Sequence, residues 1–113
     1  MRIWNLTPHP MHYDDGSLTR VYPSDGALRL SEVDEPAEPI AELVTMRKRY
    51  GAVLGLPEGI SSGDVLLVST LVGDAWPASL RPNGVTVLVP DTGATCKRDV
   101  QGRIVSVARF IRK

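Results

Sequence analysis

Aromatic residues and cysteine are scarce in this chain of 113 residues, and their scarcity limits both the core and the chemistry. Aromatic side chains make up only 5% of the sequence, with a single phenylalanine, so we expect a thin core of Val, Leu, Ile and Ala. A thin core often leaves apolar surface to be buried between subunits, which predicts a homo-oligomer. The lone Cys96 excludes an intramolecular disulfide and a cysteine-based zinc site, and it fits a reducing compartment.

Net charge and long apolar runs are also absent. The 13 basic and 13 acidic residues cancel, which argues against a protein that binds long nucleic acid by neutralising many phosphates. A small anionic ligand needs only a few well-placed bases, so it remains compatible with this composition. No apolar run is long enough to span a bilayer, and the N-terminus lacks a basic-then-apolar signal pattern. We therefore predict a cytoplasmic protein with no membrane partner.

Turn signals divide the chain into short segments, which predict an α+β fold that is mostly antiparallel β. Length favours one domain over residues 1–113, built from strands and hairpins with one or two short helices. Turns at 14–16 and 23–26 predict an antiparallel meander that ends in a strand over 27–33. Residues 96–111 are expected to form a hairpin, with one continuous strand over 103–111.

The middle of the chain predicts the centre of the sheet and one helix. Val65–Val68 is a continuous apolar run, typical of a strand buried on both faces. Ser69 and Thr70 offer N-cap hydroxyls for a short helix that ends near Pro77 or reaches Leu80. The acidic, proline-bearing segment 34–39 is expected to be a loop. Residues 40–50 fit a helix or a strand, and the β-rich context favours the strand; a loop is predicted from Gly51.

The first ten residues place three polar side chains two apart, at Asn5, Thr7 and His9. In an extended segment these side chains share one face, and Pro8 and Pro10 would hold that geometry at little entropic cost. The segment is therefore a candidate binding edge. An ordinary edge strand protected by prolines explains the same pattern.

Catalytic groups are hard to find, so we predict neither enzyme activity, nor a cofactor, nor a metal site. His9 and His12 are the only histidines, and no acid or nucleophile sits at a spacing that marks a triad or metal site. No P-loop or dinucleotide fingerprint is present. Arginines on predicted strands remain as candidate ligand-binding residues, since a guanidinium can bind a phosphate through two parallel hydrogen bonds. Solvation or pairing with acids across the sheet is the ordinary explanation for such arginines, as in Arg98-Asp99.

Two stretches together resemble a known group of proteins: Asn5-Leu6-Thr7-Pro8-His9 at the start, and Arg98-Asp99-x-x-Gly102-Arg103 near the end. Tyr50-Gly51 and Val68-Ser69 lie between them. This pattern resembles a family of small proteins from tailed bacteriophages, prophages and actinobacteria. It is also similar to the phage Thoeris anti-defence sponges, which sequester cyclic ADP-ribose signals made by bacterial TIR enzymes and, in some members, cyclic oligonucleotides.

The resemblance implies a homo-oligomer, a dimer or hexamer, that holds a small nucleotide signal between subunits without cleaving it, in the cytoplasm of an infected bacterial host. By the same resemblance, Arg29 and Arg98 would grip a pyrophosphate, and Asn5, Thr7 and His9 would contact ribose or base. The stacking aromatic would be Tyr50, Trp76 or Trp4. The full expected ligand set comprises Arg29, Arg98, Asn5, Thr7, His9, Asp99, Arg103 and Tyr50. The alternative is a non-enzymatic protein–protein interaction or structural module of phage or prophage origin.

Overall fold

The computed structural model describes residues 1–113 and consists mainly of β-strands. The strands are β1 (Ile3–Asn5), β2 (Met11–Asp14), β3 (Thr19–Tyr22), β4 (Arg29–Ile40), β5 (Leu43–Leu54), β6 (Val65–Leu67), β7 (Thr86–Pro90), β8 (Lys97–Arg98), β9 (Ile104–Ser106) and β10 (Phe110–Arg112). Helical structure is limited to α1 (Thr70–Ala75) and a 3-10 turn (Ala78–Leu80). No helix has the length and apolar character needed to cross a bilayer.

A four-stranded sheet, the body sheet, organises the molecule in the order β1-β6-β7-β10. As predicted, the apolar run lies inside this sheet, and Leu66, Leu67 and Val68 are buried. The sheet is mixed: β6 runs parallel to β1 and β7, and β10 is antiparallel to β7. The other three pairings, β2-β3, β4-β5 and β8-β9, are antiparallel ribbons. The prediction of a mostly antiparallel β fold is therefore confirmed at that level, with little helix.

The predicted meander is only partly present. Strands β2 and β3 form the expected hairpin, but β4 pairs with β5 instead of β3. The prediction of a loop over 34–39 was wrong, since these residues lie within β4. Their partner strand supplies opposite charges, as in the 2.9 Å pair of Arg49 with Glu35, and a two-stranded ribbon tolerates proline where a backbone N–H would point outward.

The structure agrees more closely with the predictions of a strand over 40–50 and of a helix after Ser69. Residues 43–54 form β5, so the loop predicted from Gly51 begins only after Leu54. Helix α1 begins after Ser69, whose Oγ accepts a hydrogen bond of 3.3 Å from the Val72 amide. The strand predicted over 103–111 is broken, however. Val107 leaves β9 to donate its amide to the His12 carbonyl at 2.9 Å, and β10 then joins the body sheet.

The core lies between one face of the body sheet and α1. It is one cluster of Trp4, Leu6, Leu28, Leu66, Val68, Val72, Trp76, Val87 and Val89. Asp64 is buried at its edge. Its carboxylate accepts hydrogen bonds from the Ser61 amide (2.9 Å), Trp4 Nε1 (3.0 Å) and the Arg2 amide (2.9 Å). These donors, the Ser61 amide foremost, lower the pKa of Asp64 to about 2.

Candidate functional site

The Asn5–His9 segment is a turn instead of an extended edge. Strand β1 ends at Asn5, and the chain bends from Thr7 to His9. The prediction of one polar face along a strand was therefore wrong, because side chains alternate faces only while the chain stays extended.

Asn5 is fully buried and holds this turn together. Its Nδ2 donates to the carbonyls of His9 (2.9 Å) and Tyr22 (2.8 Å). Its Oδ1 accepts from the Thr7 amide (3.1 Å) and the Thr7 hydroxyl (2.6 Å). Both donors and both acceptor positions of the carboxamide are thus used within the chain. His9 is exposed next to this network.

The second signature stretch is a tight turn between β8 and β9. Asp99 Oδ1 accepts hydrogen bonds of 2.9 Å from the amides of Gln101 and Arg103, and Gly102 has a φ of +80°, which glycine adopts without strain. Arg98 donates to the carbonyls of Gly102 (2.9 Å) and Thr92 (3.0 Å). Local geometry therefore explains this stretch without a ligand.

Two of the expected ligand residues, Thr7 and Arg29, line one cleft of about 490 Å³, which we call the Arg29 cleft. Three segments form it: the loop after β1, the chain entering β4, and the start of α1. Its polar side chains are those of Thr7, Arg29, Glu32 and Ser69. Leucines and Val72 supply most of the remaining surface. A volume of this size lies within the usual range for small-molecule sites.

Arg29 is the cation of this cleft. It is exposed, and its guanidinium has neither a hydrogen bond nor an ion pair within the chain. The nearby acid Glu32 is paired with Lys48 at 3.3 Å. A guanidinium with all its donors available can bind a phosphate through two parallel hydrogen bonds.

The remaining expected ligand residues lie outside the Arg29 cleft. Arg98, Asp99 and Arg103 belong to the β8-β9 turn and line no cleft with Arg29. Tyr50 lies on β5 opposite Glu32. Arg29 and Arg98 therefore do not share a recess within one chain.

The two tryptophans are core residues. Trp4 and Trp76 are 6% and 3% exposed. The Arg2 guanidinium lies 3.5 Å from the centroid of the Trp4 ring. Neither indole is exposed enough to stack on a base, which leaves Tyr50 among the three candidate aromatics.

A second cleft, which we call the aromatic cleft, was missed in the sequence. It measures about 360 Å³ and lies on the other face of the body sheet, where Tyr13, Tyr22 and Phe110 meet. The rings of Tyr13 and Phe110 stack with centroids 5.9 Å apart. Three of the six aromatic residues gather here, and the Met11–Tyr22 register places Tyr13 and Tyr22 on one face of their hairpin. The placement of Tyr13 and Tyr22 on one face of a predicted hairpin was the feature of the sequence that could have indicated this cleft.

The cation of the aromatic cleft, Arg109, is already paired. Its Nε lies 2.6 Å from an Asp91 oxygen, and this hydrogen bond lowers the pKa of Asp91. Tyr13 donates its hydroxyl to Asp15 at 2.6 Å, which raises the pKa of Tyr13. The aromatic cleft is therefore mainly apolar, whereas the Arg29 cleft offers an unpaired cation.

Comparison with protein-family models, curated proteins and solved structures gave no match. The chain also contains no group of three or more His, Cys, Asp or Glu side chains arranged to hold a metal ion.

Proposed function

We propose that this chain binds a small nucleotide signal in the Arg29 cleft and sequesters it intact. One observation carries the proposal: an unpaired guanidinium lies in a cleft of about 490 Å³ that also presents the Ser69 hydroxyl. The resemblance to phage Thoeris anti-defence sponges suggests a cyclic ADP-ribose isomer or a cyclic oligonucleotide as the ligand. The protein would then act in the cytoplasm of an infected bacterium.

The cleft has the chemistry for an anion attached to an apolar group. Arg29 supplies a planar pair of donors for a phosphate, and Leu28 and Leu30 supply apolar surface for a base or sugar. The Ser69 hydroxyl oxygen already accepts a hydrogen bond from the Val72 amide, so the hydroxyl hydrogen is available to donate to a ligand oxygen. Charge-assisted hydrogen bonds in a partly enclosed site suit tight binding.

The groups present in the cleft support retention without cleavage. Glu32 is the only carboxylate among the lining residues, and no histidine or cysteine accompanies it. General acid–base cleavage needs a proton donor and a proton acceptor positioned on the substrate. A protein that acts by mass action needs only affinity and a stoichiometric supply.

The test is a thermal-shift and ligand-recovery experiment with a cyclic ADP-ribose isomer. Ligand at 100 times Kd should stabilise the fold by about 2.7 kcal/mol, or roughly 10 °C in Tm. Heat denaturation of the complex should then release the ligand unchanged. Degraded ligand would indicate an enzyme.

Arg29→Ala should weaken uptake at least about tenfold, since one charged hydrogen-bonding group is worth about 1.5–3 kcal/mol. Arg112→Ala removes an exposed arginine that lies outside the cleft and should leave uptake unchanged. Equal uptake by both variants would remove the Arg29 cleft from the proposal. Loss of uptake in Arg98→Ala alone would instead move the site to the β8-β9 turn.

An interaction module is the second candidate function, and the exposed ribbon of β4 and β5 favours it. Ile40 and Val44 at the far end of this ribbon are 69% and 90% exposed, which is typical of contact surfaces. This function predicts no thermal shift with any cyclic nucleotide. It also predicts that changes on the ribbon alter assembly.

A further inference from the structure

Strands β4 and β5 form an arm, residues 31–52, in which not one side chain is buried. The radius of gyration is 16.6 Å, whereas a compact chain of this length has about 13 Å. The longest dimension, 52 Å, is more than twice the shortest, 20 Å. Beyond its base, where Glu32 lines the Arg29 cleft and Gly51 and Ala52 lie beside Trp76, the arm therefore receives no cover from the rest of its own chain.

A two-stranded ribbon alone in water is marginally stable at best. This arm nevertheless carries exposed apolar side chains that a second surface could cover. The strand register places four of them on one face, Pro36, Val44, Met46 and Tyr50, together with the charged residues Glu32, Asp34 and Lys48. Val44 and Met46 are 90% and 57% exposed. We call this surface the apolar arm face.

Charge is divided between the two strands of the arm. All charged residues of β4 beyond Arg29 are acidic, and all charged residues of β5 are basic. Within one chain, Lys48 pairs with Glu32 at 3.3 Å and Arg49 pairs with Glu35 at 2.9 Å. On the apolar arm face these charges are Glu32 and Asp34 on β4 and Lys48 on β5, whereas Glu35, Arg47 and Arg49 project from the opposite face. The apolar arm face therefore offers an acid and a base to a second copy of itself.

The division of charge selects one arrangement for two arms. When two arms stack face to face about a two-fold axis parallel to their length, Asp34 on β4 of each chain lies over Lys48 on β5 of the other. A two-fold axis across the arms would place acid over acid. Edge-to-edge pairing would join β5 to β5 or β4 to β4, which brings like charges together, and Pro36 and Pro39 further hinder the β4 edge.

We propose that the arm is a homodimer interface in which two apolar arm faces stack about a two-fold axis parallel to the arms. Each strand of 12 residues is roughly 40 Å long, and the ribbon face is roughly 10 Å wide. Each chain would bury on the order of 400 Å², an area typical of weak, reversible complexes. The dimer should therefore form in the micromolar range and dissociate on dilution.

The experiment is sedimentation of the whole protein over a concentration series at low salt. The wild-type chain of 12.3 kDa should shift from monomer to dimer with rising concentration. Reversing one charge of the apolar arm face, by Lys48→Glu or by Asp34→Lys, should give two monomeric proteins. Mixing the two variants should restore a dimer, because each arm then meets one of opposite charge. Variants that still dimerise separately would overturn the proposal.

A second pair of variants, without charge changes, tests the interface even if the charge-reversed proteins fail to fold. Val44→Ser lies on the apolar arm face and should weaken the dimer roughly tenfold. Val100→Ser removes an equally exposed valine, 104% exposed, from the β8-β9 turn and should leave the dimer unchanged. Equal affinities in these two variants, or a wild-type chain that stays monomeric at several hundred micromolar, would refute the interface. Neither measurement uses a ligand, so the outcome is separate from that for the Arg29 cleft.

Discussion

Asn5 illustrates how a polar residue in a recognisable sequence stretch can serve the fold. Its carboxamide bridges the His9 and Tyr22 carbonyls on one side and the amide and hydroxyl of Thr7 on the other. Ser24 adds a hydrogen bond to the Thr7 carbonyl. Together these contacts join the turn after β1 to the chain that follows β3. A ligand that enters the Arg29 cleft would meet Thr7 and not Asn5.

Replacing Asn5 by Asp should destabilise the protein although the side chain keeps its shape. A carboxylate oxygen would face the carbonyls of His9 and Tyr22, and two buried hydrogen bonds would be lost. We expect the free energy of unfolding to fall by about 2–4 kcal/mol in urea denaturation.

Asn83→Asp is the control, since Asn83 is exposed, and it should change stability by no more than about 0.5 kcal/mol. Equal stability of the two variants would contradict the structural role assigned to Asn5.

The residue types of the candidate site were visible in the sequence, but their grouping was not. Arg29 and Thr7 were both identified, and the structure places them in one cleft. Arg98 was grouped with Arg29 by resemblance, yet its guanidinium binds the Gly102 and Thr92 carbonyls. Which of these residues lie in the same cleft depends on packing between distant segments, and their spacing along the chain does not predict that packing.

At the scale of elements, α1 was predictable because its signals are local. Ser69 is the N-cap residue and Pro77 follows the helix, so both ends are marked within a few residues. Strand β4 was missed over 34–39 because its cause lies outside that segment, on the next strand: Asp34 and Glu35 face Lys48 and Arg47 on β5. Proline and acidic residues indicate a loop only when no such partner exists.

Gly73 offers a test of how closely α1 packs on the body sheet. In an exposed helix, Gly→Ala stabilises by about 1 kcal/mol. Here an added Cβ would collide with the Val89 side chain and lie 3.3 Å from Lys113 Cγ. We expect Gly73→Ala to destabilise the protein by about 1–3 kcal/mol in urea denaturation.

Whether Gly73→Ala lowers or raises the free energy of unfolding tests how closely α1 packs on the body sheet. Leu71→Ala alters the same helix at a half-exposed position and should cost less than about 1 kcal/mol. Stabilisation by Gly73→Ala would show that α1 is packed less closely than the structure indicates.

At the scale of the whole molecule, the sequence predicted a thin core but not the parallel pairing. The core cluster has nine buried residues, in keeping with the small number of aromatics. The β1-β6 pairing joins Ile3 to Val65, and no local pattern encodes a contact over such a distance. Apolar continuity in 65–68 showed only that a strand there would be buried on both faces.

Asp64 makes the stability of the β1-β6 pairing depend on pH, because its carboxylate accepts hydrogen bonds from the backbone amides of both Arg2 and Ser61. Its pKa is about 2 in the folded state and 3.8 for an ordinary aspartate. A lowered pKa contributes stability that is complete above pH 4 and is lost as the pH falls towards 2. We expect the Tm of the protein to fall across that window.

Asp64→Asn should lower Tm at pH 7 and flatten its decline between pH 4 and pH 2. Part of the decline should remain, since the pKa values of Asp14, Asp15 and Asp91 are also lowered by hydrogen bonds. Glu58→Gln, at an exposed position, should reproduce the wild-type profile. Parallel profiles for Asp64→Asn and the wild type would contradict the role of this carboxylate.

The body sheet has β1 at one edge and β10 at the other, with β6 and β7 between them. During synthesis, the N-terminal strand must wait for Val65–Leu67 to leave the ribosome before it has a neighbour, and the far edge closes only when Phe110 has emerged. The β4-β5 hairpin needs only its own consecutive residues. A nascent chain would thus expose its acidic and basic strands before the body sheet is complete.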